Sequence, residues 1–135
     1  MESTAVKPWW TGRWHLVESD LWGDDSIDLL GQAHIELGPD RLGYLMVGAL
    51  QADVDYRIAE RDGLSMVEFS WIGDDDGHPA SGRGSAQLQS DGTLRIQLHI
   101  HRGDEAVMTG VPTARSPTTS SPNTSPRRGA GRRRR

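Results

Sequence analysis

Four kinds of residue cluster in this chain could do chemistry. In "WIGDDDGHPASGRG" (71–84), three consecutive aspartates, Asp74 to Asp76, precede His78. Carboxylate oxygens of this kind suit a hard cation. A calcium loop, however, spaces its acids at alternate positions, and adjacent side chains on an extended chain point apart. A solvated acidic turn is therefore the expectation here. In the same stretch Ser81-Gly82-Arg83-Gly84 has the ingredients of an anion cradle: glycines that let backbone N–H groups approach, and a guanidinium. A phosphate loop opens a helix, whereas this segment enters a strand. The plainer reading has Arg83 neutralising the aspartates or Glu68 within a long rim loop.

His99 and His101 lie two apart, a spacing that puts two imidazoles on one strand face, as in an H-x-H metal site. A third ligand would come from His15, His34, Glu36 or Glu68; polar outward alternation explains the pair without a metal. Trp9, Trp10, Trp22, Trp71 and Tyr56 are many large aromatics for one small domain. They could line a ligand cavity or fill a core. Core is the expectation for Trp14 and Trp71, and a place at a barrel mouth for Trp9, Trp10 and Trp22. Catalysis has little support: the chain has no Gly-x-Ser-x-Gly elbow, no H-E-x-x-H and no nucleotide-binding glycine loop.

The elements that must position these groups are short strands. "TLRIQLHIH" (93–101) alternates most cleanly, with Leu94, Ile96, Leu98 and Ile100 on one face and Arg95, Gln97, His99 and His101 on the other. The same period runs through 12–19, 32–38, 53–60 and 65–73, where Val67, Phe69 and Trp71 share a face. "YLMVGALQ" (44–51) is apolar on both faces, and shorter strands are expected at 84–89 and near 105–109. "RDG" (61–63) and "SDG" (90–92) are hairpin signals. "LWGDDSIDLLG" (21–31) does not alternate and reads as a corner or a single helical turn, with Asp25 or Ser26 as its cap. About eight strands in hairpin succession predict an all-β fold, a small antiparallel up-and-down barrel. Such a barrel is just wide enough inside to be filled by side chains or to hold one small ligand.

Charge divides the chain. All 19 acids lie within residues 1–110, against Lys7 and seven arginines, a formal −11, while residues 111–135 carry seven arginines and no acid. An acidic body disfavours nucleic acid, whose binding rests on phosphate neutralisation. It suits a small-molecule ligand or a basic protein partner. Residues 1–8 read as a flexible N-terminus, 9–109 as the barrel domain and 110–135 as a disordered Arg/Pro/Ser-rich tail. That tail buries too little apolar surface to offset its ordering entropy. Its composition also fits a GC-rich gene translated out of frame, so a frameshift product is one reading of it. The chain has no cysteine, no apolar leader and no run near the roughly 20 residues a membrane helix needs, so a cytoplasmic location without membrane contact is expected. No cofactor is expected.

Gly12-Arg13-Trp14 opens the first strand, and this Gly-x-Trp resembles that of lipocalin-like (calycin) barrels. The resemblance implies that Gly12 and Trp14 close one barrel end and that a cation after the last clean strand, Arg102, packs over Trp14. The longer set W-T-G-R-W (10–14), D-L-W (20–22), E-R-D-G (60–63), V-E-F-S-W-x-G-x-D (67–75), P-A-S-G-R-G (79–84) and H-R-G-D (101–104) resembles a family of small uncharacterised bacterial proteins. It covers about residues 9–106 and brings no activity with it. After Asp104 the chain departs from that pattern, which puts closure of the barrel in question. The expected function is non-catalytic binding of a small, partly apolar ligand by Trp22, Tyr56, Trp71 and Arg83. The alternatives are an acidic interaction module that docks on a basic partner, and a metal-dependent enzyme built on His99 and His101.

Overall fold

The computed structural model describes residues 8–113. Eight strands follow one another, β1 (Gly12–Ser19), β2 (His34–Leu37), β3 (Leu42–Val47), β4 (Leu50–Arg61), β5 (Leu64–Asp75), β6 (His78–Leu88), β7 (Leu94–Ile100) and β8 (Glu105–Pro112). Each pairs antiparallel with the next, and β8 pairs with β1 to close the barrel. The departure after Asp104 therefore does not open the fold. Ala106, Met108 and Gly110 keep the inward period, and β8 spans the gap between β7 and β1 as far as Pro112. Closure leaves no unpaired sheet edge. Residues 1–7 and 114–135, and with them most of the expected N-terminus and tail, lie outside the described residues, while residues 110–112, expected in the tail, complete β8.

The expected number and order of strands hold, but two connections do not. Residues 71–84 are not a rim loop. β5 runs to Asp75, β6 starts at His78, and only Asp76-Gly77 turns the chain. Both turn residues have positive φ, 55° and 84°, as a type I′ hairpin requires. Asp62-Gly63 repeats this geometry at 55° and 78° between β4 and β5. Likewise 44–51 is not one strand, because Gly48-Ala49 turns β3 into β4.

β6 escaped the period-two reading because its inward positions hold small residues, Ala80, Gly82, Gly84 and Ala86. Their partners on β5 are the largest inward side chains. Phe69 pairs with Gly84 and Trp71 with Gly82. A Cβ at Gly84 would lie 2.4 Å from the Phe69 ring, and one at Gly82 would lie 2.8 Å from the Trp71 ring. The glycines let two aromatic rings lie flat against the neighbouring strand, a device known to support glycine in sheets.

The interior is filled. Leu16, Ile35, Leu37, Leu45, Val47, Leu50, Val54, Val67, Leu94, Ile96, Leu98 and Met108 are fully buried, with Trp14, Tyr56, Phe69 and Trp71 among them. One end is sealed by aromatics. Trp9 meets Trp10 edge to face at 5.4 Å and Trp14 at 6.4 Å, the Trp14 indole N–H donates to the Trp10 carbonyl at 3.3 Å, and the Tyr56 hydroxyl donates to the Gly38 carbonyl. The other end is sealed by residues 20–33, an irregular segment of turns that drops Ile27 into the core. Backbone bonds tie it to the barrel, from the Asp20 N–H to the Val107 carbonyl at 3.1 Å and from the Gly48 N–H to the Ile27 carbonyl at 2.9 Å, and side-chain bonds add to them. The Ser19 hydroxyl accepts from Leu21 and Trp22, Asp20 accepts from the Val107 N–H, and Asp28 accepts from the Ala33 N–H. The expected cap at Asp25 or Ser26 is replaced by Ser19.

Candidate functional site

The structure does not bring the expected ligand-binding residues together. Tyr56 is 3% exposed, at the end sealed by Trp9 and Trp10. Trp22 lies half-buried at the opposite end, where its ring sits against Gly48 so closely that a Cβ there would come within 2.3 Å of the indole nitrogen. Trp71 is buried in the wall between them, its indole N–H donating to the Arg83 carbonyl at 3.3 Å. The Arg83 side chain is on the outer face of β6. Tyr56 and Trp71 therefore pack in the core and Trp22 packs against it, and the two concavities on the outside of the barrel are lined by neither Trp22 nor Trp71.

Arg102 is also placed differently from the expectation. It lies exposed in the β7–β8 turn with φ at 59°, at the barrel end opposite Trp14, because β1 and β8 run antiparallel and Trp14 pairs with Pro112. The cation over a ring at the Trp14 end is Arg41, 6.0 Å above Tyr56. Gly12 does start β1, with φ at 122°.

His99 and His101 do not share a strand face. β7 ends at Ile100, and His101 sits exposed in the turn, its N–H donating to the Ser81 carbonyl at 2.8 Å. His99 is engaged with Glu105, Nδ1 to Oε2 at 3.0 Å. His15 pairs with Val111 and His99 with Glu105 on the same strand β8, six residues apart, or ~20 Å at a strand's rise per residue. His15 and its neighbour His34 are therefore out of reach of a metal on His99. Among the described residues no three histidine or acidic side chains converge on one point. Asp74, Asp75 and Asp76 alternate faces or turn, and Asp74 accepts the Gly77 N–H at 3.3 Å, so the acids serve the hairpin.

The concavity lies outside the barrel, and the register shows why. Across β5 to β8 the outward residues form rows. One row runs Ser70, Arg83, His99, Glu105; the next runs Glu68, Ser85, Gln97, Val107; the next runs Gln87, Arg95, Thr109. The second row is short at Ser85 and Val107, while the rows beside it carry Arg83, His99 and Glu105 on one side and Gln87 and Arg95 on the other. The result is a groove of about 530 Å³, closed at the β5 end by Arg61 and Glu68 and lined at its base by Phe69, Leu98 and Ala106 around Gly84. A smaller hollow of about 290 Å³ continues past Arg83 to Asp55 and Arg57. Arg61 reaches Glu68 at 4.0 Å and His99 reaches Glu105 at 3.0 Å. Arg83 and Arg95 make no ion pair with any described residue, and the expected neutralisation of Arg83 by Glu68 or by Asp74 to Asp76 does not form.

Arg83 was legible as an anion contact. Arg95, Gln97 and Ser85 were visible only as the outward face of strands, since register alone puts them in the same groove. Burial raises Tyr44 above the ordinary phenol value, and the charges of Asp53 and Asp74 raise it further. This marks the adjoining outer face of β3 to β5 as acidic. No helix among the described residues is long and apolar enough to cross a membrane. No protein-family model, curated protein or solved structure matches the chain.

Proposed function

We propose that the protein is a non-catalytic binding module and that its ligand is small, partly apolar and anionic, held in the outer groove rather than in the barrel. The observation that carries this reading is the pair Arg83 and Arg95, flanking a concavity and free of ion pairs among the described residues. Its volume falls in the range of small-molecule sites. Arg83 and Arg95 supply forked donors for a carboxylate or phosphate, which in a partly desolvated groove are stronger than neutral donors. Gln97 and Ser85 add neutral hydrogen bonds, and Val107, Met66 and the Phe69 edge give the apolar part of the ligand a surface. The barrel resembles calycins in strand number and topology, and its filled interior supports a site on the outside rather than the inside.

Two-dimensional NMR with a library of aromatic and aliphatic carboxylates and phosphate esters tests this. Ligands are expected to shift the amides of Arg83, Ser85 and Gln97 together, and Arg83→Gln is expected to weaken binding about tenfold or more, since hydrogen bonds to charged groups contribute about 1.5–3 kcal/mol. Shifts confined to Trp22 and its segment would return the site to the barrel end. Absence of groove shifts with every anion would end the proposal.

A second reading rests on the acidic face, where Asp53, Asp55 and Asp74 surround Ile72, which is 67% exposed. A basic peptide that engaged this face would do so with strong salt dependence. Loss of that binding in Asp53→Asn, with the groove shifts unchanged, would favour it.

A further inference from the structure

We infer that His15 and His34 form a two-imidazole site for a late first-row divalent metal ion, independent of the groove. The two residues are direct partners on β1 and β2. The Leu16 N–H donates to the Ala33 carbonyl at 2.9 Å, so the ladder hydrogen bonds flank the pair instead of joining it. His15 and His34 are therefore a non-hydrogen-bonded pair, the kind whose Cα atoms approach to about 4.5 Å and whose side chains stand closest. Both sit at outward positions, between the inward Trp14 and Leu16 of β1 and between Ala33 and Ile35 at the start of β2.

His34 is the only polar or charged side chain that is buried among the described residues, at 7% exposure. Its Nδ1 lies 2.9 Å from the Gln32 carbonyl. A carbonyl only accepts, so Nδ1 donates, and in the neutral ring Nε2 carries the lone pair. Nε2 has no hydrogen-bond partner among the described residues. A buried acceptor without a partner costs free energy and calls for an explanation. Fixing one ring nitrogen to a backbone carbonyl is also how a metal-ligating histidine is held in the correct tautomer and orientation. Tyr44 tilts against the His34 ring at 5.9 Å between centroids and helps to hold it.

Neutral imidazoles suit Cu²⁺, Ni²⁺ and Zn²⁺, with Cu²⁺ bound most tightly. Two protein ligands leave the remaining positions to water, so the site is a binding site rather than a closed structural centre. The other candidate pair, His99 with His101, competes poorly, because His99 is held by Glu105 and His101 is off the strand.

Calorimetric titration of the full chain with Cu²⁺ in a non-chelating buffer, with the imidazole resonances followed by NMR using Zn²⁺, tests the assignment. One equivalent of Cu²⁺ is expected to bind. His15→Ala and His34→Gln are each expected to weaken it at least about tenfold, since even loss of an outer partner of a ligand costs 10–100-fold. The variant carrying both His99→Ala and His101→Ala is expected to bind within about twofold of the parent. Zn²⁺ is expected to shift the ring signals of His15 and His34 together. His15 is partly exposed, so His15→Ala keeps the fold and the assignment stays testable if His34→Gln does not. Undiminished binding in His15→Ala, or loss of binding in the His99/His101 variant, would overturn it.

Discussion

At the residue scale, the glycines of β6 are a packing device for the interior and not an anion cradle. Their tolerance should follow the ring beneath each one. Gly84→Ala would put a Cβ 2.4 Å from Phe69 and 2.7 Å from the Gln97 carbonyl. Denaturant unfolding is expected to lose about 1–3 kcal/mol with an unchanged m-value, the cost of overpacking a core. Tyr56 gives a pH test. Burial raises its phenol above the ordinary value of 10, opposed by the Arg41 guanidinium above its ring. The fold therefore prefers the neutral phenol. That stabilisation is complete below the unfolded-state value near 10 and is lost as pH rises through the raised folded value. Tyr56→Phe, which also gives up the bond to Gly38, is expected to be less stable than the parent at neutral pH by about 1 kcal/mol. Its stability should then fall less steeply than the parent's above pH ~10, as read by chemical denaturation across that range.

At the element scale, the eight strands were legible because seven of them alternate or end in recognisable turns. The β5–β6 hairpin was hidden by its own composition. Its Asp-Gly turn stands after two further aspartates, and its inward side is small, so no apolar period marks β6. Residues 20–33 are the opposite case. They have no period and no continuous ladder, and are held by turn hydrogen bonds, a few bonds to β1, β8 and the β3–β4 turn, and by Trp22 and Ile27. Such a segment opens at lower free energy than the strands do, and its amides are expected to exchange faster than those of β4 and β5 in native-state hydrogen exchange. Gly48→Val would drive a side chain into the Trp22 indole and force a residue into φ near 59°. A red shift of tryptophan emission at native far-ultraviolet signal is expected, as Trp22 leaves its seat.

At the scale of the whole molecule, closure is decided by β8. Its register places Ala106 and Met108 inside while Val107 and Thr109 face out, and it hydrogen-bonds both β7 and β1. A chain ended after Asp104 would expose two edges, and it is expected to aggregate or to unfold non-cooperatively on urea titration. The sequence by itself determined the class, the strand count, the inward faces of β1, β4, β5 and β7 and the split between acidic body and basic tail, because period-two hydrophobicity and charge are local properties. Tertiary structure alone decided that the barrel is full, since that depends on how Phe69 and Trp71 meet glycines on another strand. It also placed Arg102 far from Trp14, set Arg83 and Arg95 on opposite sides of one groove, and paired His15 with His34. Each of these depends on register between strands, and register is fixed by closing the whole barrel rather than by any one segment.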